Sequence, residues 1–250
     1  MTTDGHTLLL LHGMGGNAAV WSGWRPLLDE RWPGPWRAVD LPGHGAAPPL
    51  ARYTFDALAA AVAAELDPGP RYAVIGHSLG GVVGLALAAG THGVAVGAVV
   101  GVGVKVAWSA EELTRAAALA ARPAWSCDER AEAARRFLRV AGLEGLVDAD
   151  HPAVGAGIRK AGGRWRLAMD PAAYGVGAPD MAALLAACPV PVLLARGAAD
   201  PMVDTAQLAA LGRPPAVLDD LGHSAHVESP GRTLALLAPL LAPPGGTVSG

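Results

Sequence analysis

The sequence predicts an α/β fold, with a mostly parallel central sheet flanked by helices. Short apolar runs alternate along the chain with amphipathic stretches rich in Ala and Leu, as in repeated β–α units. The runs at 72–75 and 190–195 are almost entirely apolar, as expected of strands covered on both faces. With 250 residues, 52% of them hydrophobic, the chain has the material for one substantial core.

The alternation predicts six strands, at residues 7–11, 37–40, 72–75, 94–104, 190–195 and 216–218. Helices of the same core are predicted at 54–66, 78–89, 205–211 and 231–240. Because a strand that returns through a helix lies parallel to its neighbour, we expect all six strands to be parallel.

Residues 105–180 interrupt this alternation. They contain helical stretches at 110–121 and 127–141, no strand pattern, and three tryptophans, Trp108, Trp125 and Trp165. The strand pattern resumes afterwards, which indicates an insertion rather than a separate domain. We therefore divide the chain into an α/β core at 1–104 and 181–242, a helical lid at 105–180, and a flexible tail at 243–250 that is rich in Pro, Gly and Ser.

The composition argues against several classes of function. A formal net charge of -3 offers no basic field for nucleic acid, and no apolar run reaches the ~20 residues of a membrane helix. The first residues lack the pattern of a signal peptide. The two cysteines, Cys127 and Cys188, form neither a disulfide framework nor a CxxC motif. We therefore expect a cytoplasmic protein that acts on a small molecule.

The strongest functional signal is the sequence GHSLGG at residues 76–81, between a predicted buried strand and a predicted helix. It matches G-x-S-x-G, a sharp turn that presents a nucleophilic serine, in the strand–turn–helix context that the motif requires. The crowded turn needs its glycines, and the serine lies at a helix N-terminus, whose dipole favours developing negative charge. Ser78 is therefore the predicted nucleophile, the simpler alternative being a glycine-rich turn with an incidental serine.

A serine nucleophile needs a general base and a group that orients the base. Asp200 follows the strand at 190–195 and His223 follows the strand at 216–218, so both belong to the same edge of the sheet as Ser78. We therefore predict His223 as the base and Asp200 as the acid that orients it. Taken singly, each would equally fit an ordinary turn or a surface loop.

The sequence HGMGG at 12–16 follows the first predicted strand. A glycine-rich turn at this position can present a backbone N–H to a tetrahedral oxyanion. We predict that Met14 supplies this donor and that Leu79, directly after the nucleophile, supplies the second.

Taken together, these motifs resemble the α/β-hydrolase superfamily, and more narrowly its HGxGG-bearing, esterase-like branch. The resemblance rests on HGMGG at 12–16, DLPGHG at 40–45, GHSLGG at 76–81, RGAAD at 196–200 and GHSAHVESP at 222–230. It covers residues 6–104 and 188–241. It implies the α/β-hydrolase fold, Ser78, Asp200 and His223 as a catalytic triad, Met14 and Leu79 as oxyanion donors, and 105–180 as a lid that sets substrate choice. Two strands usual at the start of the family's sheet are not expected here.

Two other interpretations of the same residues are weaker. The first turn also fits G-x-G-x-x-A, with Asp40 ending the next strand, which would indicate an NAD-dependent oxidoreductase but would leave Ser78, Asp200 and His223 unexplained. His223, His226 and Glu228 form an H-x-x-H-x-E pattern, but without a further ligand an ordering role in the loop is favoured over metal binding. A third alternative is a non-catalytic binding module. It is weak because no residue of the predicted triad is missing.

We therefore predict a serine hydrolase that cleaves a carboxylic ester of a small to medium, mainly uncharged substrate through an acyl-enzyme intermediate, with no metal or organic cofactor. Trp108, Trp125 and Trp165 are the candidate substrate contacts, because a lid must line the pocket beneath it. A local group of cations, Arg159, Lys160, Arg164 and Arg166, could clamp a carboxylate, but a solvated basic face on a helix is the favoured interpretation. The same triad also serves C–C bond hydrolases, thioesterases and lyases.

Overall fold

The structure, a computed structural model, describes residues 5–242. The first part of the core contains four strands, β1 (His6–Leu11), β2 (Trp36–Val39), β3 (Arg71–His77) and β4 (Ala95–Val102). A 3-10 helix at Ala18–Trp24 leads into α1 (Arg25–Arg31), and α2 (Phe55–Ala64) and α3 (Leu79–Ala88) follow β2 and β3. The hydroxyl of Thr54 caps α2 by accepting the N–H of Ala57 at 3.0 Å.

The insertion at 105–180 contains α4 (Ala110–Ala120), β5 (Ser126–Cys127), α5 (Arg130–Val140), α6 (Pro152–Gly157), β6 (Ile158–Ala161), β7 (Arg164–Leu167) and a 3-10 helix at Pro171–Val176. Strands β5, β7 and β6 form an antiparallel sheet in that order. The prediction that this segment holds no strand is therefore wrong. The sequence signal for the β6–β7 hairpin was the pair Gly162–Gly163. Both residues have positive φ, and together they form the two-residue turn of the hairpin.

The chain returns to the core through α7 (Met181–Ala187), β8 (Val192–Gly197), α8 (Thr205–Ala209) and β9 (Ala216–Leu218). Three short helices follow, α9 (Ala225–Glu228), α10 (Pro230–Ala235) and α11 (Ala238–Leu241). The single helix predicted at 231–240 is thus two, since Pro239 has no N–H to continue the first of them. The tail predicted at 243–250 lies outside the described residues.

The six core strands form one parallel sheet in the order β2-β1-β3-β4-β8-β9, and each lies within two residues of its predicted bounds. The sheet is buried on both faces. Along β1, Leu9 and Leu11 join the core on one face, while Leu8 and Leu10 join the core on the other.

The order of strands determines where a site can form. From β1 the chain goes to β2 on one side and later to β3 on the other, so the connections after β1 and β3 diverge. Such a switch point opens a crevice at the carboxyl edge of a parallel sheet. The loop after β1 carries Met14, and the turn after β3 carries Ser78. Within residues 5–242, no helix is long and apolar enough to cross a bilayer.

Candidate active site

Ser78 alone connects β3 to α3, because the strand ends at His77 and the helix begins at Leu79. Its φ of 49° is positive, a conformation that costs an L-residue energy and that the surrounding structure must hold. The Ser78 N–H donates to the Val102 carbonyl at 2.8 Å, and the Ser78 carbonyl accepts the Gly81 N–H at 3.0 Å. The serine is thereby held in place, half-buried.

Two glycines of the motif are required by close backbone approach. A Cβ on Gly76 would collide with the carbonyl of Gly80, across the turn, and a Cβ on Gly80 would collide with the carbonyl of Leu11 at the end of β1. The turn therefore lies directly against the strand that leads into the glycine-rich loop. This is the physical reason why the nucleophile turn and the loop at 12–16 lie side by side.

Asp200 and His223 are brought together by the loops after β8 and β9. The Nδ1 of His223 lies 2.9 Å from Oδ2 of Asp200. Since an ionised carboxylate only accepts, Nδ1 carries the hydrogen of this contact, and Nε2 is the ring nitrogen that remains for proton transfer. The other carboxylate oxygen, Oδ1, accepts the Met202 N–H at 2.8 Å.

The carboxylate of Asp200 is fully buried, while the His223 side chain keeps 19% of its surface exposed. Burial by itself would raise the pKa of Asp200, but the hydrogen bond from His223 and its positive charge when protonated lower that pKa below its ordinary value. Asp200 is therefore a carboxylate at neutral pH, as the orienting member of such a pair must be.

Ser78 and His223 line the same cavity of about 430 Å³, together with Met14, Leu79 and Trp108. Asp200 lies behind His223, outside the cavity lining. Most of the remaining wall comes from the insertion and from α2 and α3, through Phe55, Val82, Leu113, Ala116, Leu119, Val140, Ala141, Tyr174 and Val176. The wall is thus largely apolar, and the serine and the histidine are among its polar residues.

Of the three candidate tryptophans, Trp108 lines the cavity and is 36% exposed, whereas Trp125 and Trp165 lie elsewhere. The Trp125 ring packs under the guanidinium of Arg136, 4.5 Å from the ring centroid. Trp165 lies on β7, opposite Cys127 of β5. Both indoles pack against the core on the other face of the main sheet. The antiparallel sheet, which the sequence did not predict, contains Trp165 and places it away from the cavity.

Sequence reasoning missed the wall provided by α4. Leu113, Ala116 and Leu119 are three residues apart and line the cavity, so they form one stripe along the helix. No residue of α4 is fully buried, so the stripe faces the cavity rather than a packed core. The three-residue spacing was the available signal.

The cations at the cavity are also different from those considered in the sequence. Lys105, Arg115 and Arg139 line it, and each has an acidic partner: Glu112 in close contact with Lys105, Glu111 at 2.8 Å from Arg115, and Glu144 at 3.8 Å from Arg139. The group at Arg159, Lys160, Arg164 and Arg166 lies on β6 and β7 and does not line the cavity.

The glycine-rich loop after β1 is held by His12. Its Nδ1 donates to the Gly13 carbonyl at 2.8 Å, and its Nε2 accepts the Leu41 N–H at 2.9 Å. Burial, with a smaller contribution from His44, lowers the pKa of His12 to about 3, so the ring is neutral. In the described part of the chain, the N–H groups of Met14 and Leu79 donate to no protein acceptor. Both amides therefore remain available to a ligand.

Asp40 is occupied within the protein. One carboxylate oxygen accepts the Ala18 N–H at 2.6 Å and the other accepts the Ala46 N–H at 2.8 Å. The carboxylate thereby ties together the loops after β1 and β2. This structural role removes the acidic ribose ligand on which the dinucleotide-binding alternative depended.

His226 and Glu228 have separate structural surroundings. Glu228 accepts the Gly222 N–H at 2.8 Å, which orders the loop that carries His223. His226 is buried and its ring packs between those of His77 and Trp21. Across residues 5–242, no group of three or more His, Cys, Asp or Glu side chains is placed to hold a metal ion.

Comparison with known proteins extends these observations. Residues 8–236 match the family model described as the alpha/beta hydrolase family. Among curated proteins, pimeloyl-[acyl-carrier protein] methyl ester esterase of Neisseria meningitidis is 46% identical over 80 residues, which is 32% of this chain and 24% of that protein. Lipase LipV of Mycobacterium tuberculosis is 41% identical over 85 residues, 33% of this chain and 31% of that protein. The chain thus spans only a quarter to a third of these relatives.

Solved structures are similar over nearly the whole chain. E-2-(acetamidomethylene)succinate hydrolase superposes with a TM-score of 0.76 at 25% identity, covering 94% of this chain and 91% of that one. A novel esterase of Mycobacterium tuberculosis gives 0.69 at 25% identity, covering 96% and 85%. The thioesterase domain of the curacin pathway, at 18% identity and a TM-score of 0.71, shares the fold.

Proposed function

The chain belongs to the alpha/beta hydrolase family, and from that premise we propose that it is a serine hydrolase that cleaves carboxylic esters through an acyl-enzyme. The observation that carries the proposal is the 2.9 Å contact between His223 and Asp200, with His223 facing the cavity that Ser78 also lines. A strained serine, an imidazole with a free Nε2 and a buried carboxylate are the three components that such chemistry requires.

In the proposed reaction, the Ser78 hydroxyl attacks the ester carbonyl and its proton passes to Nε2 of His223. Asp200 holds the Nδ1–H and stabilises the imidazolium that forms. The tetrahedral intermediate collapses as the C–O bond breaks, and the alcohol leaves with the proton from His223. Water then attacks the acyl-enzyme by the same steps, which releases the acid and restores Ser78.

The negative charge of the tetrahedral oxygen needs donors that are already in place. We assign this role to the amides of Met14 and Leu79, which use no protein acceptor and belong to the two segments that meet at Ser78. Leu79 is also the first residue of α3, so the helix dipole adds to the stabilisation.

The cavity supports a small to medium, mainly uncharged substrate. Its volume of about 430 Å³ lies toward the lower end of small-molecule sites. The wall is largely apolar, and each cation that lines it has an acidic partner, so the site offers little net charge to an anionic substrate. Two curated relatives, an esterase and a lipase by name, agree with ester cleavage. The proposal includes a small-molecule ester as the partner. It also includes a cytoplasmic location, which rests on the two cysteines that form no disulfide framework.

The nucleophile assignment is tested with Ser78→Ala. The variant should fold normally and lose at least ~10³-fold in kcat on p-nitrophenyl esters, as expected for removal of a triad nucleophile. It should also lose labelling by a fluorophosphonate. Ser22→Ala is the matched control, because Ser22 is exposed on the 3-10 helix and should leave both labelling and turnover intact. A Ser78→Ala protein that kept tens of per cent of its activity would overturn the proposal.

The substrate class is tested with p-nitrophenyl esters from acetyl to dodecanoyl, beside matched thioesters and a β-diketone. We expect a maximum of kcat/KM among the short and medium acyl esters and lower values for an ester that carries a terminal carboxylate. A higher kcat/KM for the thioester or the diketone would instead assign the triad to a thioesterase or a C–C bond hydrolase.

A further inference from the structure

The residue before the nucleophile, His77, contacts His223 and lies against the glycine-rich loop at Gly13. It ends β3, and it lines the cavity although only 4% of the residue is exposed. Its Nε2 lies 3.1 Å from the backbone carbonyl of His223. A carbonyl oxygen only accepts, so Nε2 carries the hydrogen and donates it. The imidazole next to the nucleophile is therefore hydrogen-bonded to the main chain of the base.

The other ring nitrogen of His77 faces the glycine-rich loop. A Cβ built on Gly13 would lie 2.6 Å from Nδ1 of His77 and 3.3 Å from Cβ of Ser78. The backbone just before Met14 thus lies directly against the ring. One imidazole therefore sets the separation between the loop that carries the oxyanion donor and the loop that carries His223.

The ring also rests on other histidines. It stacks on His226 with centroids 4.1 Å apart and meets the ring of His223 edge-on at 4.8 Å. Burial, followed by the charges that His226 and His223 would carry when protonated, lowers the pKa of His77 well below its ordinary value, and His12 contributes in the same direction. The ring is neutral, with its single hydrogen committed to the carbonyl of His223.

We propose that His77 is a positioning residue, whose N–H holds the main chain of His223 so that the free Nε2 of His223 faces Ser78. The inference rests on the proposed function. It follows from the two anchors of His223: Asp200 holds the ring at Nδ1, and His77 holds the residue at its carbonyl. Glu228 orders the loop at the neighbouring Gly222. The bond from His77 instead acts on the carbonyl of His223 itself, so that its loss frees the imidazole to turn about Nδ1. A displacement of about 1 Å at a reacting group costs on the order of 10²-fold in rate.

The test separates the N–H of His77 from the space that its ring fills. In His77→Phe the stack on His226 is kept and the donor is lost. We expect kcat on the best ester to fall by about tenfold or more, with KM within about threefold, and the rate of Ser78 labelling by a fluorophosphonate to fall by a similar factor. His226→Phe is the matched control, since it changes the other ring of the stack and keeps the hydrogen bond from His77 to the carbonyl of His223. It should leave kcat within about threefold.

A second pair of variants covers a failure of His77→Phe to fold. Gln and Met have similar lengths, but only Gln carries an amide N–H. We expect His77→Gln to retain at least about fivefold more kcat than His77→Met at equal thermal stability. In the wild-type protein, ¹⁵N NMR of the imidazoles should show His77 as the neutral tautomer with hydrogen on Nε2, down to pH 5.

Equal kcat for His77→Phe and the wild type, equal kcat for the Gln and Met variants, or a wild-type His77 protonated on Nδ1 would each overturn the inference. The proposed function stands apart from these outcomes. The proposed function is wrong if the wild-type protein cleaves no ester and Ser78 takes no fluorophosphonate label. If the wild-type protein does both and one of the three outcomes above is found, only the positioning role of His77 is wrong.

Discussion

At the scale of single residues, the candidate site depends on a few side chains whose surroundings differ sharply. His223 and His226 are three positions apart, in the loop after β9 and in α9, yet His223 is partly exposed at the cavity and His226 is buried between aromatic rings. Burial, followed by the charge of His223, lowers the pKa of His226 to about 3. Only His223 has a carboxylate partner. Two histidines three positions apart therefore have different chemistry.

Replacement of the two histidines should separate these roles. His223→Ala should be as damaging as Ser78→Ala, at ~10³-fold or more in kcat, because members of a triad act as a unit. His226→Ala should cost far less in kcat and should act mainly through the order and stability of the loop. Steady-state kinetics on one ester, with thermal melts as a folding control, measures both. A larger loss of kcat/KM in His226→Ala would mean that the base is the other histidine.

At the scale of elements, a glycine at the end of β4 leaves space for His223, the proposed base. Gly103 follows the strand with a φ of +65°, and its N–H donates to the Ala195 carbonyl at 2.8 Å. A Cβ there would lie 3.0 Å from the His223 carbonyl and 3.2 Å from its ring. The neighbouring Val102 carbonyl holds Ser78. One strand end thus supports the nucleophile and sets the position of the base.

We expect Gly103→Ala to lower both stability and activity. The positive φ should cost about 1 kcal/mol of unfolding free energy, and displacement of His223 should lower kcat by about tenfold or more. Gly212→Ala is the matched control, because Gly212 has a φ of +79° with no atom within 4 Å of its Cβ position. It should lose similar stability and keep its kcat. If both variants keep wild-type kcat, Gly103 has no part in placing the base.

The helix α4 is the element on which we expect substrate choice to depend. Its apolar stripe lines the cavity, and none of its residues is fully buried. Leu119→Ala should therefore enlarge the cavity at little cost in stability. We expect kcat/KM to rise by about threefold or more for longer acyl esters relative to acetyl, since each methylene held in an apolar pocket contributes to binding.

Leu146→Ala is the control for that experiment. Leu146 lies in the same insertion and is 40% exposed, but does not line the cavity. Its acyl-length profile should match that of the wild type. An unchanged profile in Leu119→Ala as well would show that the acyl group does not lie beneath α4.

At the scale of the whole molecule, buried neutral histidines link stability to pH. Burial lowers the pKa of both His12 and His226 to about 3, and lowers that of His44 and His77 as well. The ring of His12 contacts that of His44, and the ring of His77 contacts that of His226. These residues follow or end β1, β2, β3 and β9, so the four rings lie between segments that connect the core strands. Unfolding would expose them to water and restore an ordinary pKa near 6.5.

The sign of the pH effect follows from proton uptake. Between pH 6.5 and pH 3 the unfolded chain binds protons at these histidines and the folded chain does not, so stability falls as the pH falls. His12 and His226 should each account for a loss of about 2 kcal/mol of unfolding free energy between pH 7 and pH 5. Urea denaturation at the two pH values measures the loss, and His226→Gln should reduce it by about 2 kcal/mol. A pH-independent unfolding free energy would mean that the buried rings do titrate in the folded protein.

The sequence by itself determined the elements that depend on local patterns. The alternation of apolar and amphipathic stretches predicted six parallel strands, and the glycines around Ser78 predicted the turn. Both predictions succeed because the periodicity of strands and helices, and the small residues of a crowded turn, depend on residues that are close in sequence. The positions of Asp200 and His223 followed, since parallel strands end at one edge of a sheet.

Only the tertiary structure decided which side chains meet across elements. An amphipathic pattern requires that an apolar residue be covered, but does not say by what, so Trp125 and Trp165 pack on the core while Leu113 and Leu119 line the cavity. The contact of His77 with His223 is of the same kind. It joins positions 146 residues apart along the chain, and its geometry follows from how β3 and the loop after β9 are placed by the sheet.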